Sequence, residues 1–326
     1  MSYISGAGSY LPSNRVFSEE LMRDAGASSV GINPRFLEKS TGIMERRFAD
    51  PSLSYAEMAA NAAHNAILDS GVNPLDIDVV LFCGIDNDYP EPSTAHEVQR
   101  MVGAKNAVCL DISNACLGLL NGLSSADQFI ATSTAEVVLV CTGERPSDVS
   151  RDIVRQLKES RTKEKFRRLM GAFTVGDSGG AFIVTKSGPG PQCKVMRFHT
   201  DSEMLNLCFY RRTSTHIEFE MEMEALGKVM SSGHKQLMAD TYSMLGWQPG
   251  NVGKLYAHQV GARPHRRISA MANVDISHAP KTYDLLGNLT SATFAVNYDL
   301  NRPAPGEKIL FLGAGSGCSI CQIGMQ

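Results

Sequence analysis

The amino-acid sequence predicts an α/β protein built from two similar halves. Short apolar runs rich in Val, Ile and Leu alternate with longer stretches that have helical periodicity. Two pairs of segments resemble each other at a separation of about 170 residues, which indicates a duplicated half and not a short solenoid repeat. The 326 residues, of which 43% are hydrophobic and 20% charged, are enough for a large core and exclude a disordered or fibrous chain.

Each apolar run is predicted to be a strand of a sheet covered on both faces, because it lacks the polar–apolar alternation of a half-exposed strand. Residues typical of helix starts, Ser93 with Thr94 and Asn114, precede two of the helical stretches. The predicted strands are residues 77–83, 107–110, 136–142, 180–184, 252–257, 308–313 and 319–324. The predicted helices are residues 55–70, 93–102, 116–131, 221–245 and 263–272.

Two strand segments of the second half echo two of the first, each with a charged or polar start and an apolar strand. The matching pairs are residues 135–143 with 306–315 and residues 76–84 with 251–258. The Gly/Pro-rich stretch 187–192 lies between them and marks a boundary. We therefore expect an N-terminal half at residues 1–187 and a C-terminal half at residues 188–326, sharing one core.

Charge and cysteine usage narrow the functional classes. A formal net charge of −3 gives no global field for binding nucleic acid. Most of the eight cysteines lie in apolar runs, as reduced cysteines do, and the pair Cys318 and Cys321 is interpreted as packing. No secretory leader opens the chain, no apolar run approaches the ~18 residues of a membrane span, and no His/Asp/Glu cluster has metal-ligand spacing. We therefore expect a cytoplasmic protein without a metal site.

Three short segments carry residues suited to catalysis. Cys116 is expected to open an apolar helix directly after a strand, where free N–H groups and the helix dipole favour a thiolate and hold an oxyanion. His258 follows an apolar strand at the sheet edge where open α/β folds host sites. Asn288 lies in a Gly-Asn turn before a helix of small residues. Each alone also has a structural interpretation: a packed thiol, a core histidine and a turn residue.

Together these segments resemble the thiolase-fold condensing enzymes, in particular β-ketoacyl-ACP synthase III and its relatives. The resemblance extends over nearly the whole chain, and it implies a thiolase-like fold, layered αβαβα from two pseudo-equivalent halves, and a homodimer. The matching motifs are Asn-Ala-Cys-x-Gly at 114–118, His-Gln at 258–259, Gly-Asn-x-Thr-Ser-Ala at 287–292, Gly-Ala-Gly-Ser-Tyr-Leu-Pro at 6–12, Ser-Thr-Gly-Ile-Met-Glu-Arg at 40–46, Pro-Ser-Thr-Ala at 92–95, Val-Gly-Asp-Ser-Gly-Gly-Ala at 175–181 and Gly-Ala-Gly-Ser-Gly at 313–317.

The resemblance also implies a role for each residue. Cys116 matches the nucleophile that accepts an acyl group from acyl-CoA or acyl-ACP, and its backbone N–H with one near Gly315 would form the oxyanion hole. His258 and Asn288 match the pair that polarises the carbonyl of a malonyl thioester, usually malonyl-ACP. Its decarboxylation gives the enolate for a Claisen condensation to a 3-oxoacyl product. The implied substrates are phosphopantetheine thioesters, with no bound cofactor, and Arg263 retains the position associated with binding phosphopantetheine or the acyl carrier protein.

The chain departs from the family pattern in two places. The common His-Gln-Ala-Asn is His-Gln-Val-Gly here, so Gly261 replaces an Asn that supports the active-site network. The Trp and Arg that clasp the adenine of CoA are replaced by Phe36 and Ser40, which points to a donor carried on a protein or to an atypical donor. Two alternatives stay open: transfer of the acyl group to an alcohol or amine without decarboxylation, and a non-catalytic partner subunit of a condensing heterodimer.

Further arginines suggest contacts to substrates. Residues 151–168 hold eight basic and three acidic side chains, a net of 8 − 3 = +5. They form either a solvated helix face or, through Arg155 and Lys158, a docking surface for an acidic acyl carrier protein. In the second interpretation Arg263, Arg266 and Arg267 help to form that surface. Arg145 follows a core strand in the region that shapes the acyl pocket of the family. It is either a surface cation or the partner of a substrate carboxylate.

One motif resembles that of a different enzyme class. Gly176-Asp177-Ser178-Gly-Gly matches the surroundings of the serine in trypsin-like proteases, with His96 and Asp111 upstream in a workable order. The chain nevertheless alternates strands with helices instead of building antiparallel barrels, and His96 lies in a helical stretch. We therefore expect no protease triad.

Overall fold

A computed structural model describes all residues, 1–326. The chain forms strands β1 to β13 and α-helices α1 to α11. The strands are β1 (Tyr3–Tyr10), β2 (Arg15–Phe17), β3 (Glu45–Arg47), β4 (Val79–Phe82), β5 (Val108–Asp111), β6 (Val137–Glu144), β7 (Ser178–Thr185), β8 (Cys193–Thr200), β9 (Cys208–Arg212), β10 (Ile217–Met221), β11 (Lys254–Ala257), β12 (Ile309–Gly315) and β13 (Ser319–Met325). The helices are α1 (Ser18–Asp24), α2 (Phe36–Thr41), α3 (Tyr55–Ser70), α4 (Thr94–Val102), α5 (Gly118–Ala131), α6 (Ser147–Glu159), α7 (Lys163–Leu169), α8 (Met223–Leu245), α9 (Ala262–Ala272), α10 (Tyr283–Leu286) and α11 (Thr293–Leu300).

Two mixed sheets form the framework. The larger has the strand order β1-β7-β6-β4-β5 and the smaller β11-β12-β13-β8. In the larger sheet β4 is parallel to β5 and β6, whereas β7 is antiparallel to β6 and β1. The smaller sheet repeats this pattern, since β11 is parallel to β12 and β13 is antiparallel to β12 and β8. Strands β4 and β11, and β6 and β12, are therefore equivalent, as the echoing segments predict.

Helices on both sides of each sheet give five layers. Side chains of α3 and α4 pack on one face of the larger sheet. Helices α5 and α11 lie between the two sheets and share one core with strands of both, where Leu120, Phe182, Phe294 and Phe311 are buried. Helices α8 and α9 pack on the outer face of the smaller sheet. The predicted α/β class and its αβαβα layering are confirmed.

Local sequence explains the bounds and the close packing of α3. The Ser54 hydroxyl accepts a hydrogen bond from the Glu57 amide at 3.0 Å, and the Glu57 carboxylate accepts one from the Ser54 amide at 2.7 Å. Gly71 ends the helix with φ of +68°. Gly143 and Gly179 at the ends of β6 and β7 lie against the helix backbone, where a Cβ atom would overlap carbonyl oxygens. These glycines let the helix approach the sheet closely.

The protease-like motif has a structural role. The carboxylate of Asp177, just before β7, accepts hydrogen bonds from the backbone of Ala49 at 2.7 Å and of Ser147 at 2.9 Å. Burial raises the pKa of Asp177 to about 6. The carboxylate of Asp111 accepts hydrogen bonds from the first turn of α4, and His96 is exposed on that helix. Asp177 and Asp111 therefore accept backbone hydrogen bonds of the fold, and the His96 ring pairs with the Ser93 hydroxyl at 2.6 Å.

None of the helices combines the length and the hydropathy needed to cross a membrane. All eight cysteines are free thiols. No group of three or more His, Cys, Asp or Glu side chains is arranged to hold a metal ion.

Candidate active site

A cavity of about 600 Å³ is lined by residues of both halves. Four predicted site residues from distant parts of the chain line its wall: Cys116, His258, Asn288 and Gly315. Cys116 lies in a short 3-10 helix, Ala115–Leu117, that follows β5 and leads into α5. His258 follows β11, Asn288 lies in the loop between α10 and α11, and Gly315 ends β12. The structure thus brings the predicted nucleophile and its predicted partners to one cavity.

The loop before α5 holds Cys116 at the cavity wall. Ala115 has φ of +47°, a left-handed conformation that turns the chain sharply between strand and helix. Burial raises the pKa of the Cys116 thiol well above its usual range, and the neighbouring Cys208 and Glu144 act in the same direction. Burial therefore acts against the helix dipole, which favours a thiolate, and favours a neutral thiol at Cys116 in the free protein.

His258 is a neutral imidazole held at the end of a strand. Its backbone amide donates to the Leu312 carbonyl at 2.9 Å, which continues the pairing of β11 with β12. The ring packs at 6.3 Å from that of Phe294, and its Nδ1 is buried without a hydrogen-bond partner. Burial lowers the pKa of His258 to about 4. The ring therefore carries one N–H donor and no charge at neutral pH.

Asn288 is 2% exposed and is fixed at both its backbone and its side chain. Its amide donates to the Thr174 carbonyl at 2.8 Å, and its carbonyl accepts from Gly176 at 3.0 Å. The Thr290 amide donates to Asn288 Oδ1 at 3.0 Å. Because only the oxygen of a carboxamide accepts from an N–H group, this contact identifies Oδ1 and leaves the Nδ2 group free to donate.

Gly315 lies directly against the loop that carries Cys116. A Cβ atom at Gly315 would come within 3.2 Å of the Leu117 amide and 3.3 Å of the Asn114 carbonyl. The backbone near Gly315 is thus next to the backbone of Cys116. This proximity is what an oxyanion hole formed by two N–H groups requires.

Five cations surround the cavity and form what we call the cationic rim: Arg167, Arg168, Lys228, Arg263 and Arg267. Of these, Arg168 lies 4.0 Å from Glu220 and Lys228 lies 2.9 Å from Glu224, while the others form no ion pair. Arg263 is exposed at the cavity, as a residue that contacts substrate would be. Arg266 does not line the cavity; its neighbour Arg267 does.

Arg155 and Lys158 lie elsewhere. They line a separate surface groove beside α6 and are neutralised by acidic side chains. Arg155 pairs with Asp152 and with Glu159 at 2.9 Å, and Lys158 pairs with Asp24 at 2.5 Å. The predicted basic segment is therefore divided. Its α6 part is paired with acidic side chains away from the cavity, whereas its α7 part joins the cationic rim.

Arg145 does not line the cavity. Its guanidinium stacks over Tyr55 at 4.8 Å and donates to Asp148 at 3.0 Å. It also donates to the backbone carbonyls of Pro51, at 3.2 Å, and Leu53. The side chain is 13% exposed, so all its donors serve the fold. This placement corrects both interpretations of Arg145, as a partner of a substrate carboxylate and as a surface cation.

The positions that depart from the family pattern line the same cavity. Gly261 has φ of +135°, and a Cβ atom there would lie 2.9 Å from the Thr41 carbonyl. A larger residue is thus excluded in this backbone, which explains why glycine stands there. Phe36 and Ser40 of α2 lie at the cavity as well.

The cavity residues that the sequence did not predict include Cys208, His234 and Ser316. The Ser316 hydroxyl donates to the Cys208 sulfur at 3.3 Å. Ser316 belongs to the Gly-Ala-Gly-Ser-Gly motif, and this motif is the one sequence feature that could have predicted its place at the cavity. Cys208 and His234 lie in ordinary strand and helix patterns, and only the packing of β9 and α8 brings them to the cavity.

Comparisons with known proteins agree with this architecture. The family model for 3-oxoacyl-[acyl-carrier-protein (ACP)] synthase III matches residues 110–203. A β-ketoacyl-[acyl-carrier-protein] synthase III of Caldanaerobacter subterraneus is 38% identical over 306 residues, which cover 91% of this chain and 87% of the relative. An acyl-CoA:acyl-CoA alkyltransferase of Shewanella oneidensis is 25% identical over 307 residues, 88% of this chain and 86% of that protein.

Solved structures share the fold. A crystal structure of OleA from Xanthomonas campestris superposes with a TM-score of 0.92 at 22% identity, covering 99% of this chain and 98% of that one. The thiolase-like fold is thereby confirmed. Since a synthase III at 38% identity also covers most of the chain, the protein belongs to the β-ketoacyl-ACP synthase III family of thiolase-fold condensing enzymes.

Proposed function

We propose that the protein is an acyltransferase that forms an acyl-Cys116 intermediate and condenses it with a malonyl thioester, malonyl-ACP in particular. The product is a 3-oxoacyl thioester. The observation that carries the proposal is that Cys116, His258 and Asn288 line one cavity although they come from three distant segments. A partner subunit without activity would not need all three.

In the first half-reaction the Cys116 sulfur attacks the donor thioester. A new S–C bond forms, the bond to the donor sulfur breaks, and the proton of the Cys116 thiol passes to the departing thiolate. This exchange conserves protons, so a neutral resting thiol is compatible with it. The N–H groups of Cys116 and of the backbone near Gly315 stabilise the oxyanion.

In the second half-reaction the malonyl thioester loses CO2 and becomes an enolate. The N–H group of His258 and the Nδ2 group of Asn288 donate to its oxygen. Because burial holds the pKa of His258 at about 4, this donor is neutral and stabilises the enolate without protonating its carbon. The enolate carbon then attacks the acyl-Cys116 carbonyl, and the Cys116 sulfur leaves as a thiolate, which takes up a proton from water to restore the thiol.

The cationic rim supports the use of phosphopantetheine thioesters. Arg167, Arg263 and Arg267 have no acidic partner, so their charges remain available to a phosphate or to an acidic carrier protein. This assignment replaces the α6 docking surface, whose cations are already paired. Phe36 and Ser40 lack the Trp and Arg side chains that would hold the adenine of CoA. The cationic rim can instead bind the donor through its charged groups.

A second candidate function is the condensation of two acyl-CoAs. It is favoured by similarity to two proteins named acyl-CoA:acyl-CoA alkyltransferase, at 25% and 26% identity. The glycine at position 261, where an Asn would support the active-site network, is consistent with it. This reaction would release no CO2.

We also propose a homodimer that forms through β5. This strand is an edge of the larger sheet, and its Val108 is 64% exposed. An unpaired apolar edge is a template for a second strand. The chain continues from β5 to Cys116, so pairing there would order the loop of the nucleophile.

Intact-mass measurement with a panel of acyl-CoAs and acyl carrier proteins tests the proposal. We expect an acyl mass shift that disappears in Cys116→Ala and persists in Cys208→Ala, the control for the second thiol of the cavity. Malonyl-ACP should then release CO2 and yield a 3-oxoacyl product. Product from acyl-CoA alone, without CO2, would favour the second candidate. Acyl transfer to an added alcohol or amine, or no acylation by any donor, would contradict condensation.

A further inference from the structure

Arg46 is a buried cation without an acidic partner. Its side chain is 0% exposed, and the neighbouring Glu45 pairs with Arg15 instead, at 2.5 Å. Burial lowers the pKa of Arg46 to about 10, so the guanidinium stays protonated at neutral pH. Buried charges in proteins are ordinarily paired with an opposite charge. The contacts of this guanidinium, all with neutral groups, therefore have to explain why an arginine stands here.

The guanidinium binds three acceptors from separate segments. Its Nη2 donates to the Phe173 carbonyl at 2.7 Å and to the Ser18 hydroxyl oxygen at 3.0 Å. Its Nη1 donates to the Val16 carbonyl at 3.3 Å. Val16 lies in β2 and Ser18 begins α1, whereas Phe173 ends a short 3-10 helix that follows α7. Arg46 thus connects the segment after α7 to the segment of β2 and α1.

The Phe173 carbonyl leads directly to Asn288. The next residue, Thr174, lines the cavity, and its carbonyl accepts a hydrogen bond from the Asn288 amide at 2.8 Å. Two residues further on, the Gly176 amide donates to the Asn288 carbonyl at 3.0 Å. The segment 173–176 is therefore bound to Arg46 at its first residue and to Asn288 at two later ones.

The stem of Arg46 packs against the same backbone. A Cβ atom at Gly176 would lie 3.0 Å from the Arg46 Cβ, and one at Gly287 would lie 3.2 Å from it. Gly287 has φ of +71° and directly precedes Asn288. The absence of side chains at both glycines lets the arginine lie against the two segments that pair at Asn288. Arg46 therefore supports the backbone on both sides of this pairing.

We propose that Arg46 is a positioning residue for the condensation step. Its guanidinium holds the Phe173 carbonyl and its stem supports Gly176 and Gly287. Together these contacts fix the backbone that presents the Asn288 carboxamide to the second thioester. Arg46 does not line the cavity, so it acts on the reaction through Asn288. This inference rests on the function proposed above, which assigns Asn288 to the second half-reaction.

The proposal predicts a split between the two half-reactions. Acylation uses the backbone N–H groups of Cys116 and near Gly315 and not Asn288, so loss of Arg46 should leave its rate unchanged within about twofold. Condensation depends on the Asn288 donor and should slow about 10- to 100-fold, because a small displacement of a positioned catalytic group has an effect of that size. A purely structural role would lower both rates together.

The test measures both rates in Arg46→Met, acylation by intact mass and condensation by CO2 release from malonyl-ACP. Methionine keeps an unbranched apolar stem and removes every N–H donor of the side chain. Arg145→Met is the matched control, because Arg145 is also largely buried and donates to backbone carbonyls, those of Pro51 and Leu53, outside the cavity. It should lower the melting temperature without splitting the rates. A split of the same size in the control would overturn the assignment to Arg46.

If Arg46→Met does not fold, Arg46→Lys retains the buried cation but not the planar fork of donors, and the same split is expected. Equal slowing of both half-reactions, or no change in either, in the variant that folds would overturn the positioning role. A crystal structure of that variant is a readout that needs no substrate. We expect the Asn288 carboxamide to shift, and an unmoved carboxamide overturns the proposal even if no donor acylates the wild type. An absence of acylation in the wild type instead contradicts the proposed function.

Discussion

The hydroxyl of Ser291 accepts a hydrogen bond from the backbone amide of Leu119 at 2.8 Å. It also donates to the Cys83 carbonyl at 3.1 Å. Leu119 lies in the first turn of α5, three residues after Cys116, and Ser291 lies three residues after Asn288. One buried hydroxyl therefore joins the segment of Cys116 to the segment of Asn288.

Ser291→Ala should uncouple these segments. It leaves the Leu119 amide buried without a partner, which costs about 1–3 kcal/mol of unfolding free energy. We also expect kcat for condensation to fall about tenfold or more, because the Ser291 hydroxyl no longer fixes the position of Cys116 relative to Asn288. Urea denaturation and steady-state kinetics measure the two effects.

Ser269→Ala is the control for this experiment. Its hydroxyl is equally buried and donates to the Val274 carbonyl at 2.6 Å, but it lies outside the cavity. It should lose stability and keep kcat. A Ser291→Ala protein that is destabilised but turns over at the wild-type rate would show that the link does not govern catalysis.

Glu144 makes the folded protein less stable as the pH rises from 6.5 to about 8. Burial raises its folded pKa to about 8, above the ordinary value of 4.5, so over this range the folded state holds a proton that the unfolded chain has lost. The contribution is complete below pH 4.5 and is lost as the pH rises through 8, with a slope of at most about 1.4 kcal/mol per pH unit.

Urea midpoints at pH 6.5, 7.25 and 8 measure this slope. Asp177, with a pKa of about 6, and His258, with a pKa of about 4 and a contribution of the opposite sign, titrate alike in the wild type and in Glu144→Gln, so the difference between the two slopes reports Glu144. Glu144→Gln should give a flatter profile than the wild type. Identical slopes for the two proteins would mean that the carboxyl is already charged in the folded state.

The cationic rim should govern the use of charged thioesters. Arg167→Glu combined with Arg263→Glu should lower kcat/KM for acyl-CoA and acyl-ACP at least about tenfold at low salt and spare the uncharged N-acetylcysteamine thioester. Arg155→Glu with Lys158→Glu is the matched control, since those cations are paired away from the cavity. If the control pair is the one that impairs carrier-protein use, the docking surface lies on α6 after all.

Arg145→Ala should affect stability and leave specificity unchanged. The variant loses the stacking on Tyr55 and the hydrogen bonds to the loop before α3, which together are worth about 1–3 kcal/mol. The ratio of kcat/KM for glutaryl and butyryl donors should equal that of the wild type. A selective loss of the glutaryl donor would restore the role of Arg145 as a substrate contact.

Sequence patterns predicted most of the fold because they report local backbone preferences. The residues of α3 carry their own cap at Ser54 and their own stop at Gly71, and the predicted helix 55–70 has the bounds of the observed one. The motifs around Cys116, His258 and Asn288 likewise predicted which residues would meet. Each motif contains its own turn, and a shared fold brings those turns to one cavity.

The contacts of charged side chains were predicted less well than the helices and strands, because the groups that bind them lie far away in the sequence. The acid that neutralises Lys158 is Asp24, and the carbonyl oxygens that bind Arg145 belong to Pro51 and Leu53. The direction of the Cys116 pKa departs from what the helix dipole alone would give, for a related reason. The helix dipole can be deduced from position in the chain, whereas burial, which dominates the pKa, depends on the tertiary fold.

The exposed edge strand β5 leads to the last prediction, which concerns assembly. Val108 is 64% exposed on a strand that pairs only with β4. Of the following strand residues, Cys109 and Leu110 are half-buried and Asp111 is exposed. We expect the wild type to be a dimer by light scattering after size exclusion. Val108→Lys should be shifted towards monomer, because a buried lysine at a paired edge is costly. The rate of condensation should fall as the dimer dissociates, since β5 leads directly to Cys116.

Leu68→Lys, at a 79% exposed site on α3, is the control and should remain a dimer. A monomeric wild type, or a dimer in both variants, would rule out β5 as the interface.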